Sequence, residues 1–138
     1  MKHDYNDNLA IGMNTLSQID SEILETLEII REVSKSNPDY AVDMLPWLML
    51  EDRVIKKYIS GRRYLLLAKA EDGGMKTANI NINKINNSQK VDVSVKFVIQ
   101  NTISGMDIVK TAVCPYENGL VALNDIEKTI DTMIADNK

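Results

Sequence analysis

Histidine and cysteine carry much of the acid-base and nucleophilic chemistry of enzymes, and this chain has one of each. His3 lies in a polar N-terminal stretch, where no neighbouring group would orient its imidazole as a base or a metal ligand. Cys114 would need a base and a positive field to act as a nucleophile, and no histidine is near it in sequence. We therefore interpret Cys114 as a small apolar residue at the end of a strand.

Carboxylates are numerous, but they are scattered over the predicted helices. Paired acids hydrolyse glycosides only at a defined separation in a cleft, which spacing in sequence does not supply. Glu22, Glu25 and Glu28 recur every three residues and form an acidic stripe along one side of a helix. Such a stripe is either a solvated face or a contact surface for a basic partner. No cluster has the spacing of metal ligands, so we predict no metal, no cofactor and no enzymatic activity.

A second group of residues combines positive charge with an aromatic ring. It could hold the phosphates of a single-stranded nucleic acid while the ring stacks on a base. Equally, its lysines could complement a helix that ends at Gly61, and its arginines could border a strand. This basic cluster consists of Lys56, Lys57, Arg62, Arg63 and Tyr64. A row of asparagines, Asn79, Asn81 and Asn83, is either a recognition face or a solvent face.

Size and composition describe a globular protein of 138 residues, with 44% hydrophobic and 26% charged residues. We predict a single domain over residues 1–138, with residues 1–6 as a flexible arm. The net charge of -4 weighs against nonspecific binding to nucleic acid or to an acidic membrane. One cysteine cannot form an internal disulfide, and no run approaches the roughly 20 apolar residues that span a bilayer. A cytoplasmic location is therefore expected.

Residues 90–100 show the clearest strand pattern, because Val91, Val93, Val95, Phe97 and Ile99 alternate with mainly polar residues. Short connections around this stretch, among them turns at Asp72-Gly73-Gly74 and near Asn87-Ser88, leave no room for crossover helices. They predict a four-stranded antiparallel meander that Pro115 ends. The predicted strands are residues 63–70, 76–84, 90–100 and 106–114, and 120–123 is a candidate for a short fifth strand.

Helical periodicity surrounds these strands. A first helix runs from Leu9 to about Ser36, either continuous or starting afresh at Ser17 or Asp20. Asn37-Pro38-Asp39 begins a second helix that Pro46 either interrupts or kinks. A last helix starts near Asn124. The predicted fold is an α+β two-layer domain. The apolar seam of the first helix is Leu9, Met13, Leu16, Ile23, Leu27 and Ile30.

Two functions are consistent with these features. The first is a non-enzymatic protein of the inhibitor, immunity or adaptor type, which binds a protein with a basic surface. A continuous first helix would be longer than the sheet is wide, so it could also contact a second copy in a homodimer. The predicted partner-binding residues are Asp20, Glu22, Ile23, Glu25, Leu27 and Glu28. The alternative is a single-stranded nucleic-acid-binding protein that uses the sheet and the basic cluster.

Overall fold

A computed structural model describes residues 5–85 and 89–137, with the side chains described from Asp7 onward. His3, most of the predicted arm and the predicted turn at Asn87-Ser88 lie outside this part of the chain. The α+β class is confirmed. In chain order the elements are α1 (Tyr5–Ser17), α2 (Ser21–Ser34), α3 (Asp39–Met44), a 3-10 helix (Leu45–Leu48), α4 (Asp52–Asp72), β1 (Thr77–Lys84), β2 (Val91–Gln100), β3 (Asp107–Tyr116) and α5 (Gly119–Asp136).

Strand β2 is the centre of the sheet, and it pairs antiparallel with β1 on one side and β3 on the other. Its alternation has the predicted register, since Val91, Val93, Val95, Phe97 and Ile99 are all buried. Contacts from α4 and α5 cover this face. The opposite face is open, and the predicted asparagine row of β1 lies on it, exposed.

The prediction of four strands is wrong, because residues 63–70 lie inside α4. This segment contains leucine, alanine, lysine and arginine, which favour helices, and no β-branched residue. Gly61 does not end the helix but lies within α4. A glycine is needed there because α1 packs tightly on α4. A Cβ atom at Gly61 would lie 2.7 Å from Leu16 Cδ2, and one at Gly12 would lie 2.9 Å from the Gly61 carbonyl oxygen. Asp72-Gly73-Gly74 is thus a helix end and not a hairpin turn.

Asp20 divides the predicted first helix in two. Its Oδ1 accepts hydrogen bonds from the backbone N–H groups of Glu22 (3.0 Å) and Ile23 (3.2 Å). The alternative of a fresh start at Asp20 is therefore confirmed, and the continuous helix is wrong, because an aspartate at this position caps a new helix. Leu27 and Ile30 of the apolar seam are buried in the domain's own core.

Beyond the first helix, α3 begins at the predicted restart. Of the two predicted effects of Pro46, interruption of the helix is the observed one, and the kinked helix is wrong. Pro46 lies in the 3-10 helix, and Met49 then adopts a left-handed backbone conformation with φ 50° before α4 begins. A non-glycine residue in this region of φ ends helical structure. The break allows α4 to take a direction of its own across the sheet.

Pro115 does not end its strand, contrary to the prediction. Asn101 N–H donates to the Met106 carbonyl at 2.8 Å, which makes these two residues a hydrogen-bonded pair. Alternation along an antiparallel ladder then directs the N–H groups of the odd-numbered β3 residues away from β2. Pro115 occupies one of these positions, so its missing N–H removes no bond to β2.

The candidate fifth strand is also wrong, since residues 120–123 belong to α5. Asn118 caps this helix, and its Oδ1 accepts the N–H of Leu120 at 2.8 Å. The helix therefore begins five residues before the predicted start near Asn124, and its first turns are buried against the sheet.

Candidate functional site

The predicted partner-binding residues belong to α2 and its cap, but they do not form one surface. Asp20, Glu22 and Glu25 are exposed, and Ile23 is half-buried against the core. Leu27 has 0% exposure, so its side chain offers no area to a partner. Glu28 is partly buried and bonded to arginines within the domain.

Two apolar residues of α2 outside the predicted partner-binding set are exposed. Ile29 is 53% and Val33 is 38% accessible. Ile29 lies seven residues after Glu22 and four after Glu25. Val33 lies four residues after Ile29, so all four side chains are on the side of α2 opposite Leu27. We call Glu22, Glu25, Ile29 and Val33 the outward face of α2. The signal in sequence was the pair Ile29-Ile30, because a helix that buries one neighbour turns the other outward.

Glu28 is instead held in an ionic network between α2 and α4. Arg62 contacts it through two nitrogens, with Nε donating to Oε1 at 2.8 Å. Arg31, which is 7% exposed, donates through Nη2 to the other oxygen at 3.0 Å. The Nε of Arg31 also donates to the buried Tyr58 hydroxyl at 3.1 Å. The contact between Arg62 and Glu28 joins residues 34 positions apart, so no local sequence pattern could predict it.

Arg31 also connects α2 to α5. Asn124 donates its amide to the Arg31 carbonyl at 2.9 Å and accepts from Arg31 Nη1 at 3.4 Å. Glu127 lies between Lys35 at 3.3 Å and Lys69 at 3.5 Å. These contacts fix the rotation of α2 about its axis, and hence the direction of its outward face.

The network perturbs its ionisable groups. Burial alone would raise the pKa of Glu28, but the hydrogen bonds and positive charges of Arg62 and Arg31 outweigh it and lower the pKa below the usual 4.5. Desolvation, followed by the charge of Glu28, raises the pKa of Tyr58 to about 12. The tyrosine is therefore a neutral hydrogen-bonding partner of Arg31 at physiological pH.

Acid should weaken the domain through Glu28. A carboxylate whose folded-state pKa lies below its unfolded value contributes stability above the unfolded value, and this contribution disappears as the pH falls through the folded-state pKa. We expect the free energy of unfolding to decrease as the pH falls below about 4.5, and the difference between wild type and Glu28→Gln to shrink as the pH falls further, through the lowered pKa of Glu28. Urea titrations across this range measure both quantities. A difference that stays constant would show that the charge of Glu28 does not stabilise the fold.

The basic cluster is distributed around α4 because successive helical residues point about 100° apart. Lys57 donates to Gln18 at 3.2 Å, and Arg62 faces α2. Lys56 pairs with Asp52 at 3.3 Å, while Arg63 donates to the Ile80 carbonyl at 3.2 Å and stacks on the ring of Tyr64. The structure therefore does not bring the cluster to a single surface.

The open face of the sheet is the other part of the nucleic-acid hypothesis. On this face Asn79, Asn81 and Asn83 lie opposite Lys96, Ser94 and Asp92. Single-strand-binding sheets stack bases on aromatic rings. In residues 77–84, 91–100 and 107–116, none of the side chains on the open face is aromatic.

A cavity of about 650 Å³ lies between the 3-10 helix, the first half of α4, the end of β1 and the start of α5. Lys56 and Arg63 reach it from the basic cluster, together with Lys84 and Asp52. Lys84 bonds to Asp52 and lowers the pKa of that carboxyl. None of the lining residues is a histidine or a cysteine, and the hydroxyl of Ser60 and the carboxylate of Asp52 belong to the lining.

Ligand groups for a metal ion and helices suited to a membrane are both absent from the part of the chain that the structure describes. Within it, no group of three or more histidine, cysteine, aspartate or glutamate residues is placed to hold a metal ion. None of its helices combines the length and apolar character needed to cross a bilayer. The chain matches no protein-family model, and no curated protein or solved structure is significantly similar to it.

Proposed function

We propose that this chain is a non-enzymatic cytoplasmic protein that acts by binding another protein through the outward face of α2. The observation that carries the proposal is the exposure of Ile29 and Val33 beside the carboxylates of Glu22 and Glu25. The partner that fits this surface has an apolar patch surrounded by lysine or arginine.

The chemistry of the outward face is that of a protein interface. Apolar residues at the centre supply binding energy by leaving water, while charges at the rim select the partner and accelerate association. A helix with no partner ordinarily turns polar side chains toward solvent. Ile29 and Val33 depart from that pattern, because these two exposed apolar residues lie one helical turn apart on the same face.

The other side of α2 makes this face rigid. Leu27 and Ile30 are buried in the core, and Arg31 is bonded to residues of both α4 and α5. A surface held in one conformation loses little conformational entropy when it binds. An inhibitor, immunity or adaptor protein benefits from such a preorganised surface. The single-stranded nucleic-acid alternative has weaker support, because the basic cluster is dispersed and the net charge is -4.

Replacing Ile29 and Val33 together with glutamate should weaken partner binding at least about tenfold, because the apolar centre of the interface would become charged. The protein is immobilised, the partner is captured at stoichiometric amounts from the cells that produce it, and the isolated pair is measured by calorimetry. Glu22→Gln with Glu25→Gln should reduce the salt dependence of the association rate without changing the fold.

The matched control is Trp47→Glu with Met49→Glu, which also converts two exposed apolar residues to acids but changes the 3-10 helix and its C-cap, not α2. It should leave binding intact. If both double variants lose the partner equally, charge alone explains the loss and the outward face of α2 is not the interface. Retention of a labelled single-stranded oligonucleotide at submicromolar concentration would favour the nucleic-acid alternative instead.

A further inference from the structure

The edge strand β3 carries a concentration of exposed apolar side chains. Half of the large apolar residues that are exposed in the described part of the chain belong to β3 and the loop before it. Val113 is 82% and Val109 is 56% accessible, both on the open face of the sheet. A long apolar edge strand is a template for pairing with another strand. This surface is separate from α2, so a role for it does not depend on the proposed function.

Unpaired backbone groups run along the same edge. The ladder between β2 and β3 uses the even-numbered residues of β3, as the hydrogen-bonded pair of Asn101 and Met106 establishes. The N–H and C=O groups of Asp107, Val109, Thr111 and Val113 therefore point outward. Another strand satisfies such a row completely, since its donors and acceptors have the same spacing.

We propose that β3 pairs with β3 of a second copy of this chain, antiparallel about a two-fold axis through Thr111. The two three-stranded sheets then form one six-stranded sheet. In this register Thr111 faces Thr111 of the second copy, and Val109 faces Val113 of the second copy twice by symmetry. Ile108 faces Cys114 on the helix side. Apolar side chains thus meet on both faces of the new ladder.

The side chains select this register over its neighbours. An axis through Lys110 would set two lysines directly opposite each other, at about 4.5 Å between Cα atoms, where like charges repel. An axis through Ala112 would set Asp107 opposite Glu117 and would move Pro115 into the paired region. With the axis through Thr111, Lys110 faces Ala112, and Pro115 lies at the end of the ladder.

The helix layer leaves room for the second copy. Ile108 lies on the helix side of β3, yet it is still 39% accessible, and Lys110 on that side is exposed. Helix α5 contacts β2 more extensively than β3. Pairing through β3 would therefore cover Ile108, which the domain's own helices leave in water, and continue the core from one copy into the other.

Thr111→Pro tests the proposal through the backbone. It removes one outward N–H from each copy and should raise the dissociation constant of the dimer on the order of tenfold or more. Pro115 already occupies an equivalent outward position in the same strand, so the fold tolerates the substitution in principle. Thr111→Ala is the matched control, since it changes the same side chain and keeps the N–H. Sedimentation over a concentration series measures the mass of each form.

Cysteine cross-linking tests the register without relying on proline. In a Cys114→Ser background, Thr111→Cys should form a disulfide between copies, because directly opposite Cα atoms lie about 5.5 Å apart, within disulfide range. Val109→Cys is the control on the same strand and face. Its two copies would be offset by four residues, about 13 Å, and should not link.

A mass above the monomer that Thr111→Pro reduces and Thr111→Ala preserves, with selective linking at position 111, supports the proposal. A wild-type chain that stays monomeric at high concentration overturns it. A dimer that Thr111→Pro leaves intact, or that links at position 109 and not at 111, also overturns it. If Thr111→Pro fails to fold, the cross-linking comparison alone decides.

Discussion

Phe97→Ala is expected to lower the free energy of unfolding by about 3–5 kcal/mol. Phe97 has 0% exposure and lies on the central strand, beneath the helices that cover the sheet. Its removal would take a large apolar side chain out of the core and leave a cavity that the surrounding sheet and helices can fill only in part. Urea denaturation followed by far-ultraviolet circular dichroism gives the difference.

Lys96→Ala is the control for that measurement, because Lys96 is the preceding residue on the same strand and points to the open face. It should cost less than about 1 kcal/mol. A reversal of the two values would mean that β2 is shifted by one residue, because such a shift exchanges every buried side chain for an exposed one.

Arg31→Ala is expected to cost about 3–5 kcal/mol of folding stability, because it removes several hydrogen bonds of a nearly buried side chain together with its packing. The substitution would take a hydrogen-bond donor from the Tyr58 hydroxyl and another from Glu28, both inside the domain. Unpaired buried polar groups lose their interaction with water and gain no replacement. Arg62 would remain on Glu28, so the cost belongs mainly to Tyr58, Asn124 and the lost packing.

Lys35→Ala provides the comparison at the C-terminal end of the same helix. Lys35 also pairs with Glu32 and Glu127, but its side chain is 42% exposed, and solvated ion pairs contribute about 0–1 kcal/mol. Equal losses for the two variants would show that the network around Arg31 is no stronger than a surface ion pair. Arg31→Met, which keeps much of the volume, should recover the packing part of the loss and separate it from the polar part.

The two stability predictions bear on the proposed function through α2. The core beneath Leu27 and the contacts of Arg31 hold the helix in one orientation, and the outward face follows from that orientation. Loss of Arg31 should therefore weaken partner binding as well as folding, whereas loss of Ile29 and Val33 should weaken binding alone. This difference separates the residues that position the surface from those that form it.

Local sequence patterns were sufficient for the alternating strand β2 and for the helix cap at Asp20. The alternation of β2 predicted its buried residues correctly, because successive side chains of a strand point to opposite sides whatever surrounds them. Asp20 was one of two alternative helix starts, and its signal is equally local, since its carboxylate reaches N–H groups only two and three residues away.

Tertiary structure decided the features that depended on distant partners. Gly61 was predicted to end a helix, yet it lies inside α4, where Gly12 of α1 packs closely against it. Glu28 shared its spacing with Glu22 and Glu25, yet it is the one that Arg62 and Arg31 bind. Periodicity gives the direction of a side chain about its own element, but the identity of the group that meets it depends on how the elements pack together.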